Sequence, residues 1–447
     1  MRKPVRIVLT LLLMPLAALA QKKPLTLDEA IAAGLETSPA LHASRMKAES
    51  SSAKTRELAA GRLPSLKLGA GYSRLSEVPP FEVTLPISPN PIVVSQNYFN
   101  NWNLRLAVQQ PLFTGFRLEA GTESARMLEM SAGLDLEKDR SEFVFAVKSA
   151  YWGLARARDV EAVVGETIKQ VQEHLKDVRA FFDQGLLTKD EVLRAEIQLS
   201  TTELMAIDAR NAVEIARTSL NSLLGFPIET DVDLTTSAES LASRAPAAAG
   251  AGGETEAARS LLDTALAGRP ELKSAEFRIK ASEAGLKAAR AGWYPQVSLA
   301  GNYYYLRPNP RLLPSRDKFY GTWDVGIAVS FDVWNWGQTK SQAEQAKAQL
   351  AQARDARKIL EDQAVLDVTQ SRLGLAQARD KIKVAGAAVG QADENLRMVT
   401  ERFRQGVALN ADVLDAEVFQ LQAKLARAQA AIDLALAQAR LEKALGH

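Results

Sequence analysis

The chain has 447 residues, no cysteine and a nearly balanced charge, with 55 basic and 53 acidic residues. The lack of cysteine excludes disulfide bonds and cysteine metal sites, and the balanced charge gives no reason to expect a polyanionic partner such as nucleic acid. Because one compact core needs fewer residues than this, we expect several domains or an elongated form.

The first residues have the pattern of a secretory signal peptide. Basic side chains before residue 7 precede an apolar run over 7–16, and Ala18-Leu19-Ala20 fits a cleavage site. A membrane helix needs about 20 apolar residues, and this run is shorter. We therefore predict a signal peptide over 1–20 and a mature chain that begins at Gln21, without the cysteine of a lipoprotein anchor.

The rest of the sequence has no run of apolar residues as long as a membrane helix, for which about 18 are needed. This excludes an inner-membrane transporter built from many helices. A secreted destination remains: the periplasm, the outer membrane or the outside of the cell.

An internal duplication covers most of the chain. Residues 38–75 match 269–306 at an offset of 231, and residues 102–225 match 323–446 at an offset of 221 without a gap. Each copy reads helix, strand, loop, strand, long helix, bend, helix. The predicted segments of the mature chain are a first repeat over 21–225, a linker over 226–258 and a second repeat over 259–447.

Two segments in each copy alternate apolar with polar or small residues. The clearest example runs through Trp323, Val325, Ile327 and Val329. Alternation over about ten residues is typical of membrane β-strands, although a half-buried strand of a soluble sandwich alternates in the same way. Five of the six tryptophans lie in or beside these segments, which favours the membrane interpretation. The predicted strands cover about 64–75, 101–112, 295–306 and 322–333.

Four strands are too few to close a barrel. An open sheet edge in lipid would leave unpaired backbone groups, each costing several kcal/mol. The predicted barrel must therefore be shared between copies of the chain. Two copies would supply eight strands and three copies twelve, and barrel geometry allows both.

Two long helical hairpins are predicted to follow the strand pairs. Residues 121–185 contain no proline, and their apolar residues recur at alternating spacings of four and three, interrupted only at Glu161. This spacing predicts left-handed coiled-coil packing. A helix of about 60 residues would be on the order of 90 Å long.

The bend of each hairpin repeats nearly the same sequence, DQGLLTKDEVLRAEI at 183–197 and RQGVALNADVLDAEV at 404–418. We predict that a glycine at each bend, Gly185 and Gly406, ends the outgoing helix. Four further residues are predicted to start the return helices: Thr188 and Glu191 as a capping box, and Asn410 as a cap, with Asp412 in the first turn.

The ordered set of these motifs resembles the TolC family of outer-membrane efflux proteins over about residues 25–446. The resemblance rests on the two bends, on LTLDEAIAAGLETSPAL at 25–41, on GRLPSLKLGAGY at 61–72 and on PLFTGF at 111–116. It implies a mainly α fold with a β-barrel part. In the assembly that it implies, a homotrimer forms a twelve-strand outer-membrane β-barrel on a twelve-helix periplasmic tunnel.

The same resemblance implies a function and partners. The protein would be the passive exit duct of a tripartite efflux pump or a type I secretion system in the outer membrane of a Gram-negative bacterium. Its implied partners are two further copies, outer-membrane lipid, a periplasmic adaptor and an inner-membrane pump driven by protons or by ATP. The sequence does not identify the cargo.

Roles for the tip residues also follow from the resemblance. The aspartate rings that narrow the periplasmic entrance in the family fall on Asp412 and Asp415. The Tyr and Arg that latch the tip of the best-known members are here Phe403 and Ala408, so closure would rest on coiled-coil packing or on polar residues such as Lys189 or Arg404. The hairpin tips expected to dock the adaptor comprise Gln184, Gly185, Leu186, Glu191, Gln405, Gly406 and Val407.

A structural interpretation competes with each of these roles. Carboxylates near helix N-termini, such as Glu191, Asp412 and Asp415, stabilise the helix by about 0.3–1 kcal/mol in any case. The scattered histidines give no metal site, and no motif indicates a cofactor or catalysis. The two competing functions are a periplasmic adaptor and a structural periplasmic coiled coil, and both lack the duplicated membrane strands.

Overall fold

The structure is a computed structural model whose described residues are 23–84, 86–87, 91–95, 97–236 and 254–446. The predicted signal peptide with its cleavage site lies outside the described residues, as do residues 237–253 of the predicted linker. Both therefore stay predictions.

The first repeat begins with a short strand and continues with two short helices, two long strands with a small hairpin between them, and two long helices. In chain order these are β1 (Lys23–Leu25), α1 (Leu27–Thr37), α2 (Pro39–Ala60), β2 (Ser65–Arg74), β3 (Phe81–Val83), β4 (Ile92–Ser95), β5 (Asn100–Phe113), α3 (Arg117–Asp183) and α4 (Lys189–Leu224). A further short strand, β6 (Val232–Leu234), pairs in parallel with β1.

The second repeat has the same order. Its elements are α5 (Glu254–Gly268), α6 (Pro270–Ala289), a 3-10 turn (Arg290–Trp293), β7 (Gln296–Arg307), β8 (Tyr320–Ser330), α7 (Gln338–Arg404) and α8 (Asn410–Ala444). Helices α3 and α7 both have 67 residues, and their first residues, 117 and 338, differ by the 221 of the sequence repeat. Among the described residues, no helix has the combination of length and apolar composition needed to cross a membrane.

Proline divides the helical segment that precedes each strand pair. We predicted one helix there, but the structure has α1 and α2 in the first repeat and α5 and α6 in the second. Ser38 before Pro39 and Arg269 before Pro270 both have extended backbone, with ψ of 118° and 122°. A residue before proline is sterically disfavoured in the helical conformation, which explains both breaks.

Most predicted strand bounds agree with the structure to within about two residues, but the prediction for 322–333 is wrong at its end. Strand β8 stops at Ser330. The chain then turns into α7 through Trp336 and Gly337, whose φ angles are 54° and 79°. The equivalent residues of the first repeat, Gly115 and Phe116, have φ of 63° and 67°. A left-handed residue pair thus joins strand to helix in both copies.

The segment 226–258, predicted as a linker, contains the short strand β6, which was not predicted, and α5 begins within it at residue 254. The short strands β3 and β4 were not predicted either. Elements of three or four residues are too short to show a periodic pattern.

The chain divides into two compact units, and neither coincides with a repeat. The first unit comprises the described residues of Met1–Leu41, Arg140–Gly268 and Val365–His447, and the second comprises those of His42–Asp139 and Arg269–Ala364. Each unit takes segments from both repeats. The duplication is therefore a repeat of sequence and of element order rather than a pair of separate domains.

The second unit contains an antiparallel sheet in the order β2–β5–β7–β8, with β2 and β8 at its edges in the described chain. The register brings the apolar residues of all four strands to one face, for example in the row Leu68, Leu106, Tyr303 and Trp323. Polar and small residues such as Asn103, Ala107 and Thr322 occupy the other face. The large side chains of the apolar face are 37–70% exposed, apart from the half-buried Phe113 and Val297.

The first unit is built on the long hairpins. Val147, Leu154, Val171 and Val178 of α3 are fully buried or nearly so, which confirms the predicted coiled-coil seam. The seam ends before Phe182, which is 39% exposed. A larger core, centred on residues 151 and 152, packs α1, α3, α4 and β6 together.

Candidate functional site

The bend of each hairpin is closed by the same backbone motif. Gly185 and Gly406 have φ of 74° and 73°, in the left-handed region that favours glycine. The amide of Leu186 donates to the carbonyl of Phe181, and Gly185 donates to Phe182, at 2.9 and 2.8 Å. The second bend repeats both bonds 221 residues later. This is the Schellman arrangement, and it confirms the prediction that these glycines end the outgoing helices.

The predicted capping box of α4 is wrong. Thr188 occupies the cap position, but its hydroxyl donates to the carboxylate of Asp190 instead of accepting a backbone N–H. This bond is the main reason that the pKa of Asp190 is lowered. The other half of the expected box, the Glu191 side chain, is directed away from the cap and accepts a hydrogen bond from Asn410 at 2.7 Å.

Asn410 does not cap α8 as predicted. Leu409 is the cap residue, and its backbone N–H donates to the carboxylate of Asp412 at 3.0 Å. Asp412 therefore does help to start the helix, as the structural interpretation of this residue requires. Asn410 is the first residue of the helix and is almost completely buried, with 2% of its surface exposed.

Asn410 connects the two hairpins through a buried hydrogen-bond network. Its Oδ1 lies 2.7 Å from Nε2 of His174 on α3, and its Nδ2 donates to both the carboxylate and the backbone carbonyl of Glu191 on α4. Because the amide oxygen can only accept, His174 donates through Nε2. Burial lowers the pKa of His174, and nearby Arg404 lowers it further, while Asn410 and Asp177 act in the opposite direction.

The network is the tip end of a polar stripe along the interface between α3 and α8. The stripe consists of residues 166, 170 and 174 on α3 and residues 410, 417 and 424 on α8, with spacings of four and seven residues. At the end of the stripe that lies farthest from the tip, Nζ of Lys424 is 3.9 Å from Oε2 of Glu166. The hairpins thus meet each other through polar side chains within an otherwise apolar coiled coil.

Glu417, in the middle of this stripe, is a buried carboxyl group. It is only 1% exposed, and its Oε2 has no hydrogen-bond partner among the described residues. Burial raises the pKa of Glu417 to about 7, and the amide of Gln170 opposes this shift. The carboxyl group therefore changes its protonation state near neutral pH.

Phe403 of α7 packs into the same region. It is 3% exposed, and its ring lies 5.3 Å from that of His174 and 5.4 Å from that of Phe181, measured between centroids. The neighbouring Arg404 forms an ion pair with Asp177 at 3.1 Å. Within one chain, the two hairpins are therefore held together near their tips by the buried ring of Phe403 and by the ion pair between Arg404 and Asp177.

The predicted docking residues are exposed at both tips, with Glu191 as the exception. Leu186 and Val407 are 68% and 75% exposed. Asp412 and Asp415 lie three residues apart on one exposed face of α8. Glu191 is half-buried and bound to Asn410, so the structure gives it a structural partner.

Sequence reasoning missed His174 and Glu417. The three histidines are scattered along the sequence and give no pattern that singles out His174, whose partner Asn410 lies 236 residues away. The available signal was the regular spacing of polar residues inside a coiled-coil seam. In the described part of the chain, no group of three or more His, Cys, Asp or Glu residues could hold a metal ion.

A duplicated antiparallel sheet with one exposed apolar face, combined with two long helical hairpins, defines the outer-membrane channel class of export proteins. The chain belongs to the outer membrane efflux protein family, whose model matches residues 30–226 and 261–447. It is thus an exit duct of the outer membrane, and its family is a family of channels rather than of enzymes.

Individual relatives agree with this assignment. The chain is 22% identical to outer membrane efflux protein BepC of Brucella suis biovar 1, over 78% of this chain and 73% of the relative. It is 25% identical to alkaline protease secretion protein AprF of Pseudomonas aeruginosa, over 77% and 69% of the two chains. Among solved structures, the outer membrane protein VceC of Vibrio cholerae has the same fold, with a TM-score of 0.77, 19% identity and coverage of 94% and 96%.

Proposed function

We propose that three copies of this chain form a twelve-strand β-barrel in the outer membrane and a twelve-helix tunnel in the periplasm. The exposed apolar face of the sheet is the observation that carries the proposal. Trp323, Val325, Ile327 and Val329 on β8 are 65–68% exposed, without a second layer over them in the described chain. A contiguous apolar surface of this kind is stable against lipid and unfavourable in water.

The unpaired edges of the sheet support the sharing of the barrel between copies. Strands β2 and β8 each leave one side of the backbone without partners in the described chain. In lipid these groups must be paired, and a neighbouring copy offers the complementary edge. Four strands from each of three copies give twelve. The family resemblance favours three copies over the eight-strand dimer.

In this proposal the duct is passive, and a periplasmic adaptor and an inner-membrane pump complete the machine. Relatives are named for efflux and for protease secretion, so the proposal covers both proton-driven and ATP-driven pumps. The exposed apolar side chains Leu186 and Val407, held by the glycine bends, are the surface that would dock the adaptor. The family model matches the chain twice, once in each repeat. This double match argues against the two competing functions, a single-hairpin adaptor and a structural coiled coil.

The periplasmic entrance would be narrowed by Asp412 and Asp415. Three copies would bring six carboxylates around one axis, and rings of carboxylates favour cations in other pores. The carboxylate of Asp415 makes no hydrogen bond or ion pair with the described part of the chain, which leaves it free to face the lumen.

Single-channel recording tests this role with the double variant Asp412→Asn, Asp415→Asn. We expect lower cation preference and weaker block by a trivalent cation, hexaamminecobalt(III), added on the periplasmic side. Thermal stability should fall only modestly, by about 0.3–1 kcal/mol for each lost helix-end charge, because an asparagine at 412 keeps the oxygen that accepts from Leu409.

Two outcomes would oppose the proposal in different ways. Unchanged selectivity and block, together with lower stability, would make the aspartates a helix-start device alone. A folded wild-type protein that forms no conducting channel would contradict the duct itself.

A further inference from the structure

The polar face of the sheet contains a side-chain ladder that crosses three strands. Arg105 on β5 donates to Oδ1 of Asn302 on β7 through Nε and Nη2, at 3.1 and 2.8 Å. Asn302 in turn donates to Oδ1 of Asp324 on β8, at 2.8 Å. The guanidinium of Arg105 also lies over the ring of Tyr304, 5.5 Å from its centroid. Arg105 is therefore exposed but held in one orientation.

The charges of this face do not cancel. Its charged residues within the paired strands are Lys67, Arg105 and Asp324, so two positive charges minus one negative charge leave a net charge of +1 for each chain. This sign is opposite to that of the aspartates at the hairpin tips. A trimer would carry three such ladders around one axis.

Two glycines lie next to Arg105 on the β2 side of the same face. Gly69 pairs directly with it across the strands, and a Cβ added at the diagonal neighbour Gly71 would meet nothing within 4 Å. The side of Arg105 that faces β2 is therefore open. The backbone pairing of β5 with β2 and β7 already sets the strand register, so the register does not require the ladder.

We propose that Arg105 is the selectivity-determining residue of the barrel lumen and binds anionic groups of passing solutes, such as carboxylate, sulfonate or phosphate. This inference rests on the proposed function, in which the polar face lines the channel. The ladder uses two of the five N–H groups of the guanidinium, which leaves donors free for a solute. A planar guanidinium with fixed orientation binds such oxyanions through paired hydrogen bonds. Asn302 and Asp324 act as positioning residues.

The experiment measures block of single channels by inositol hexakisphosphate added on the extracellular side. Wild-type channels should be blocked, and Arg105→Gln should raise the half-blocking concentration about tenfold or more, the loss expected for charged hydrogen bonds. Arg105→Lys should recover part of the block, because it keeps the charge and loses the planar fork. Asp324→Asn should strengthen the block by removing the opposing charge.

Lys67→Gln is the matched control, since it removes an equal charge from the same face and leaves the ladder intact. Its effect should be clearly smaller than that of Arg105→Gln. Equal effects of the two variants, or no effect of Arg105→Gln in a channel of normal conductance, would overturn the inference and leave the duct standing. A wild-type protein that forms no channel would instead contradict the proposed function.

Discussion

Replacing Glu417 with glutamine should stabilise the protein at pH 8 by about 3 kcal/mol and leave its stability near pH 4.5 almost unchanged. The ordinary pKa of a glutamate is 4.5, and burial raises the pKa of Glu417 to about 7. The folded state therefore binds more protons than the unfolded state between these values. The contribution of the protonated carboxyl group to the free energy of unfolding is fully present below pH 4.5. It is lost as the pH rises through 7. Glutamine imitates the protonated form at every pH.

Thermal unfolding of the purified protein in detergent, followed by helical circular dichroism at pH 5 and pH 8, measures this effect. Glu401→Gln is the control, because Glu401 is an exposed glutamate near the same tip. The Glu401→Gln variant should show the same difference in unfolding temperature between pH 5 and pH 8 as the wild-type protein. A Glu417→Gln variant with the wild-type difference between pH 5 and pH 8 would show that the buried carboxyl group is not coupled to folding.

The Glu417→Gln variant should also reveal the opposite pH dependence of His174. Burial lowers the pKa of His174 below its usual value of 6.5. The unfolded state then binds the proton more readily, so stability falls as the pH drops below about 6.5. In the Glu417→Gln variant, the unfolding temperature should therefore decline as the pH falls below about 6.5 and should no longer decline between pH 7 and pH 8.

Gly406→Val should abolish export while the protein still assembles in the outer membrane. The φ of 73° at Gly406 is strongly unfavourable for a β-branched residue, at a cost of about 1–3 kcal/mol. The valine should open the Schellman bonds and displace the exposed Val407, which is proposed to dock the adaptor. The sheet belongs to the other compact unit and should be unaffected.

Ethidium efflux, or the amount of secreted protein in the medium, would be measured together with the level of the assembled oligomer. Gly390→Val provides a matched control, since Gly390 lies within the same helix, has no positive φ and leaves room for a Cβ. Export should persist in this control. If the Gly406→Val variant exports normally at wild-type oligomer levels, the bend at Gly406 is not needed for docking the adaptor.

Local patterns in the sequence predicted much of this structure because their causes are local. A positive φ after a long helix selects glycine, so two glycines 221 residues apart identified both bends. Alternation of apolar residues located β2, β5 and β7 because one face of each strand is apolar along its length. In β8 the pattern continued past Ser330, where the chain turns for backbone reasons that side-chain alternation does not report.

At the candidate site, the errors arose where a polar side chain has more than one possible partner. Thr188 has Asp190 two residues away, and that bond replaces the expected cap. Asn410 has the composition of a cap residue, but tertiary packing brings it to His174 and Glu191. A single sequence contains no information on which distant groups meet across the two hairpins. The polar stripe and its buried carboxyl group therefore required the structure.

Native mass spectrometry of the mature protein in detergent tests the central claim most directly. The open edges β2 and β8 require partners in a membrane. We predict a single species with the mass of three chains, with β-structure that depends on this assembly. A uniform monomer that keeps its β-structure would contradict the shared barrel and the duct built on it.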